Sequence, residues 1–204
     1  MACLLTSTSC FPPIQYMSAC MKAEKVTVEA HETYTKQTYR NHYEIAGPNL
    51  RQKLTIPVIK TNGNHTQTKD IRIGDDIPWQ KIHLRSITSA YNKSPYLLYY
   101  IDEVIPFFEK KYHFLFDLNL EILYKLFDIF HLNKEITITN EYSHEPVGMD
   151  DQRDILVAKK QILPAPFPEY TQPFTERYGF LQNLSSLDLI FCLGPGASDY
   201  LKNL

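Results

Sequence analysis

Residues 2–8 form an apolar and small-residue run that reads as a buried strand, closed by Pro12 and Pro13. That proline pair starts a short helix over Ile14–Ala23, because proline in a first helical turn gives up no hydrogen bond. KVTVEA, Lys25–Ala30, alternates valine with polar residues and predicts a second strand. Strand, helix and strand in so short a span make a βαβ unit, whose crossover is right-handed. The loop after the first strand then opens at the carboxyl edge of the sheet, where α/β proteins bind ligands.

The pattern changes after Tyr34. NHYEIAG, the turn Gly47-Pro48-Asn49 and RQKLTIPVI predict a β-hairpin, and TKDIRIG a further strand after the turn Asn62-Gly63-Asn64. From Pro78 to Leu132 the chain reads as helical, in pieces over Pro78–Asn92, Pro95–His113 and Phe114–Leu132. In the last piece Phe116, Leu120, Leu123, Phe127 and Phe130 recur as an apolar stripe, which predicts a helix packed on a core. EITITNEY predicts a late strand, Asn183–Leu193 a helix stopped by Gly194-Pro195, and Ala197–Leu204 a last short helix. Residues 143–173 carry five of the thirteen prolines and read as an irregular connection. The fold class is therefore α/β: an N-terminal βαβ unit and a β-hairpin in a mixed sheet, packed by the helical segment 78–132.

The length of 204 residues suits one domain, 1–204, and a hydrophobic content of 44% suits a buried core. The net charge of −2 directs the chain to neither nucleic acid nor an anionic membrane. The apolar stretch Phe114–Phe130 carries Asp117, Asn119, Glu121, Lys125 and Asp128, which argues against a membrane span. Cys3, Cys10, Cys20 and Cys192 lack the close pairing of a zinc site and the density of a disulfide scaffold. With no secretory signal at the start, the expectation is a reduced, cytoplasmic protein without a metal. GxGxxG, GxxxxGK[ST], HExxH and EF-hand motifs are absent, which excludes a P-loop nucleotidase and a zincin.

Candidate chemistry gathers in Tyr34–Tyr43, where Lys36, Gln37, Tyr39, Arg40 and Asn41 stand together without an acid. Arginine suits a phosphate or carboxylate, and the amides and tyrosine suit a sugar or base, though such a stretch also fits an ordinary basic loop. Trp79 and His83 share a predicted helical face and Tyr91 lies further along it; each also fits plain core packing. Asp188 sits in the apolar helix LSSLDLIF and needs a partner such as Arg40 or a cleft. Adjacent His31 and Glu32 on a strand would point to opposite faces, which disfavours a catalytic pair. Ser185 and Ser186 lack a GxSxG elbow and suit a helix start.

FPPIQY (11–16), KQTYRN (36–41), LTIPV (54–58), WQKIHLRSITSAYNKSPY (79–96), LFDLNLEI (115–122) and YTQPFTERYGFLQNLSSLDLIF (170–191) resemble the motifs of the WbqC-like family. The resemblance implies a context of O-antigen and other surface-polysaccharide gene clusters and supplies no established catalytic residue or cofactor. The expectation is an enzyme or accessory enzyme of surface-glycan assembly, a group transferase on an anionic activated substrate such as a nucleotide sugar. Arg40 and Lys36 would hold its phosphate, with Gln37, Tyr39, Asn41, Trp79 and Tyr91 orienting the remainder. His83 would act as acid–base group and Asp188 as its orienting carboxylate. On that assignment Arg40→Ala would weaken phosphorylated-ligand binding and leave the fold intact. The alternative is a non-catalytic binding or scaffold protein, as a homo-oligomer or within a biosynthetic complex.

Overall fold

The computed structural model describes residues 3–36, 38–156 and 166–204. Strand β1 (Cys3–Ser7), helix α1 (Ile14–Lys22) and strand β2 (Lys25–Glu29) realise the βαβ unit, with β1 and β2 parallel and Cys3 opposite Lys25. β3 (His42–Gly47) and β4 (Leu50–Thr55) form the antiparallel hairpin, and β5 (Val58–Ile59) pairs with β6 (Arg72–Ile73). The expected strand through Val58 and Ile59 is divided at Pro57, which has no N–H to donate to a ladder.

Helices α2 (Trp79–Tyr91), α3 (Leu97–Val104), α4 (Pro106–Glu109) and α5 (Leu115–Ile129) follow. The single helix expected over 95–113 is two helices, because Pro106 begins α4 and cannot continue the hydrogen bonding of α3. β7 (Ile136–Ile138), β8 (Met149–Asp151), α6 (Thr175–Tyr178), α7 (Ser186–Leu193) and α8 (Ala197–Asn203) complete the chain. Ser185 caps α7 by accepting from the Leu187 amide, as a helix-start serine should.

The parallel sheet has the order β7-β2-β1-β8. The α/β class read from the sequence is the class observed, with parallel and antiparallel pairing both present. They occupy separate sheets: the hairpin β3–β4 is a two-stranded ribbon beside the parallel sheet. Within 143–173, expected to be irregular, β8 adds an exposed edge strand to β1, with Cys3 opposite Met149. From β1 the chain steps outward to β2 and β7, then returns to the far side of β1 as β8. The strand order thus reverses at β1, and a crevice at the carboxyl ends there is the usual ligand position of an open α/β sheet.

One continuous core runs from Leu4 to Leu201. Phe11 has φ 38°, a left-handed conformation rarely taken by a bulky residue, and the turn sends its ring among Tyr43, Phe107 and Phe108. The loop after β1 is therefore buried, against the expectation of an open loop: Cys10 N and Ser9 Oγ both donate to the Tyr39 carbonyl, at 3.0 and 3.1 Å.

Gly194 ends α7 at φ 51°, and a Cβ there would lie 2.5 Å from the Tyr96 ring. Gly194→Ala is expected to cost about 2 kcal/mol or more in urea unfolding, from strain and overlap together. Gly196, at ordinary helical angles with open space around its Cα, should accept alanine with a change within about 0.5 kcal/mol.

Candidate functional site

The carboxyl ends of β1, β2 and β8 converge on a buried charge. Arg40 is 3% exposed and grips Glu32 with two hydrogen bonds, Nε to Oε1 at 2.8 Å and Nη2 to Oε2 at 2.7 Å. Nη2 also donates to Ser7 Oγ at 2.7 Å, and that hydroxyl lies 3.0 Å from Glu32 Oε2. The last residue of β1, the segment after β2 and the segment before β3 are thereby tied at one point. A planar guanidinium fork on a carboxylate is the strong form of such a pair. Arg40 Nη1 is buried and has no hydrogen-bond partner among the described residues.

A second arginine stands behind the first. Arg153 donates Nε to Asp151 Oδ1 at 2.9 Å and Nη2 to Oδ2 at 2.6 Å, and its Nη1 reaches the Ser143 carbonyl at 2.8 Å and Glu29 Oε2 at 3.5 Å. Hydrogen bonding from Arg153 holds the Asp151 carboxyl below the usual carboxylate range. The Arg153 guanidinium lies 4.9 Å from the centre of the Tyr142 ring.

Between these pairs is a cavity of about 540 Å³, within the range of small-molecule sites. Glu32, Arg40, Arg153 and Asp154 line it together with the imidazoles of His31 and His144, and Thr33, Thr35, Tyr142 and Asp151 complete its wall. Such a lining offers donors and acceptors on every side and two imidazoles for proton transfer, which suits a polar, hydroxyl-rich ligand. Among the described residues no group of three or more His, Cys, Asp or Glu side chains is placed to hold a metal ion.

The structure divides the candidate residues. Arg40 lines this cavity, whereas Lys36 and Asn41 line a different one. Asn41 also holds the end of the hairpin, its Nδ2 donating to the Ile56 carbonyl at 3.0 Å. Tyr39 is buried beside His42, with its hydroxyl pushed up to about 12 by burial, and Gln37 lies outside the described residues. Trp79 and His83 pack edge to face in the core with Phe108, and His83 Nδ1 meets the Tyr43 hydroxyl at 3.1 Å. Burial pushes His83 down to about 4, so it is a neutral core histidine near pH 7.

Asp188 is fully buried and accepts from Tyr91 at 2.7 Å, Tyr170 at 2.6 Å and Gln172 at 2.8 Å. Burial raises its carboxyl, and those three donors oppose the rise. Its partners are thus two tyrosines and an amide rather than the expected Arg40, which is bound to Glu32. His83 and Asp188 share no hydrogen bond and neither lines the carboxyl-edge cavity.

Sequence reasoning sets His31 and Glu32 aside as residues on opposite faces of a strand and names no residue of the wall from Tyr142 to Asp154. Glu32 lies only two residues before the acid-free stretch in which Arg40 drew attention. His31 and Glu32 line one cavity because β2 ends at Glu29 and strand alternation no longer applies to them. MDDQRD, polar and without alternation, gives no strand signal, although its three acids around an arginine are the trace it leaves.

The model of the WbqC-like protein family matches residues 8–163, well over half of the chain, and the chain belongs to that family. No curated protein and no solved structure gives a match. No helix among the described residues is long and apolar enough to cross a membrane.

Because Arg40 neutralises a buried carboxylate, Arg40→Ala should not leave the fold intact. Its expected cost is about 3–5 kcal/mol in urea unfolding, and Arg40→Met with Glu32→Leu should recover most of it, since the pair's removal leaves no unpaired charge. His42 and His83 both have pKa values near 4 in the folded chain, against an ordinary 6.5. Unfolding therefore takes up protons between those values, and stability present above pH 6.5 is lost as the pH falls towards 4. The raised Asp188 carboxyl works in the opposite direction. His83→Gln should reduce the stability lost between pH 7 and 4.5, measured by urea unfolding, by about 2 kcal/mol.

Proposed function

We propose that this member of the WbqC-like family is a cytoplasmic enzyme, or accessory enzyme, of surface-glycan assembly that acts on an activated sugar in the carboxyl-edge cavity. The observation that carries the reading is the convergence of Glu32, Arg40, His31, His144, Arg153 and Asp154 on one cavity where the strand order reverses. A sugar ring needs many polar partners at short range, and this lining supplies them. Proton transfer falls to His31 and His144, which reach the cavity, in place of His83, which is sealed in the core.

In the reaction proposed, an acceptor hydroxyl attacks the activated carbon and the bond to the leaving phosphate breaks. The hydroxyl proton passes to an imidazole at the cavity, and the electron pair leaves with the phosphate. Arg40 acts chiefly as the rigid floor, because two of its nitrogens are committed to Glu32 and Ser7.

A binding or scaffold role is the second reading, and its supporting observation lies on α3. Leu98 and Tyr99, adjacent on that helix, are 84% and 76% exposed, an apolar pair that a partner would cover.

A thermal-shift series of nucleotide sugars tests the enzyme reading. A bound one should raise the melting temperature, adding about 2.7 kcal/mol of stability at a hundredfold excess over its Kd. Thr35→Trp, on an exposed residue of the cavity wall, should abolish the shift and leave the unliganded melting temperature unchanged. No shift across the series in the folded protein would transfer the assignment to the scaffold reading.

A further inference from the structure

The segment Thr33–His42 stands between two cavities. Thr33, Thr35 and Arg40 line the carboxyl-edge cavity, while Tyr34, Lys36, Asn41 and His42 line a second, of about 470 Å³. The alternation of 33 and 35 with 34 and 36 is that of extended backbone, which presents successive side chains to opposite sides. Lys53 and Thr55 of β4 and Lys60 beyond β5 belong to the second cavity as well.

Three lysines thus meet in one concavity that no carboxylate lines. Glu44 stands opposite Lys53 across the hairpin, but its carboxylate is bound to Arg51 at 3.0 Å. Among the described residues none of Lys36, Lys53 and Lys60 has an ion pair; Lys60 reaches only the Asn64 side-chain oxygen at 3.4 Å and the Tyr34 ring at 5.5 Å. Converging like charges raise the local potential and draw an anion.

Lysines alone would be a solvated face, and His42 makes the difference. It is 2% exposed, lies against Tyr39 and lines the cavity, and among the described residues its Nδ1 is buried without a hydrogen-bond partner. Burial, with Lys53 nearby, outweighs a hydrogen bond to the Thr38 backbone and pushes its pKa down to about 4, so the ring is neutral; with its one proton given to Thr38, Nδ1 is left as an acceptor. A buried nitrogen left unpaired is costly, and a ligand able to share a proton with it removes that cost. A carboxylate or sulfate brings no proton near neutral pH. A phosphate monoester, with a second pKa of about 6, retains one in part.

We propose that this cavity is a phosphoryl-binding site, in which Lys36, Lys53 and Lys60 take the anionic oxygens and His42 Nδ1 shares the remaining proton. The phosphoryl group is that of a phosphate monoester, carried either by a ligand that also enters the carboxyl-edge cavity or by a separate molecule. The site uses no residue of the carboxyl-edge cavity, so it stands or falls apart from the activity proposed there.

Isothermal titration of the full chain with inorganic phosphate, and with sulfate as the protonless control, tests it. Phosphate should bind wild type at least about tenfold more tightly than sulfate, a gap of about 1.4 kcal/mol. The variant Lys36→Gln, Lys53→Gln, Lys60→Gln, changed only at side chains that reach solvent, should keep its melting temperature and lose about tenfold or more in phosphate affinity. Ring ¹⁵N signals of His42 should move on titration while those of His83 stay. Thr35→Trp should bind phosphate as wild type does, even if no nucleotide sugar binds either protein. Competition by a sugar 1-phosphate that is weakened in Thr35→Trp would assign the group to a ligand of both cavities, and competition unchanged in that variant would assign it to a separate molecule; both support the site. Absence of phosphate binding, equal binding by the triple variant, or equal binding of sulfate would overturn it.

Discussion

Arg40 is a full positive charge held almost entirely away from water, and the carboxyl end of the sheet is arranged around that fact. Removing a guanidinium and a carboxylate from solvent costs several kcal/mol for each ion, and only good geometry with further hydrogen bonds offsets it. Here Glu32 takes two of the nitrogens and Ser7 joins the same oxygen that one of them reaches. The peptide around Arg40 is fixed too, since Asn119 of α5 donates to the Arg40 carbonyl at 2.8 Å and the Tyr39 carbonyl receives the loop after β1. One residue, through its side chain and its carbonyl, therefore ties together β1, the segment after β2, the start of the hairpin and α5. That rigidity suits a binding site, whose polar groups must hold position before a ligand arrives.

A second buried polar cluster fixes the opposite region in the same manner. Asp188, inside α7, accepts from Tyr91 of α2 and from Tyr170 and Gln172 of the segment before α6. The Tyr91 hydroxyl also receives the Ala46 amide of the hairpin at 3.2 Å, and Gln172 exchanges two hydrogen bonds with Leu181. The late YTQ motif is thus bound to the helix that carries Asp188. Residues with the look of catalytic groups, an acid in an apolar helix and a histidine behind a tryptophan, are here connectors between elements.

Where periodicity and punctuation govern structure, the chain was legible. The proline pair before α1, the Gly47-Pro48-Asn49 turn, the stripe of α5, the Ser185 cap and the Gly194 stop each report a local rule that tertiary packing did not override. The site was legible only at Arg40, because an arginine in an aromatic and amide-rich stretch is conspicuous without its partner. Glu32 and Asp154 owe their roles to contacts across the fold, and β8 owes its existence to β1 rather than to any pattern of its own. Lys36 and Arg40, close in sequence and alike in charge, were read as one anion clamp. The extended backbone between Thr33 and Lys36 and the turn at Arg40 place them in separate cavities.

That separation has a physical consequence for any ligand. Arg40 is already neutralised by Glu32, so it adds little field to the carboxyl-edge cavity, whose lining holds three carboxylates and two guanidinium groups. The second cavity has the reverse balance, with three ammonium groups and no acid in its wall. The first lining, close to balanced in charge, offers hydrogen bonds rather than a net field, whereas the second favours an anion. The two linings are carried by a single segment, Thr33–His42. The Arg40–Glu32 pair keeps that segment in place.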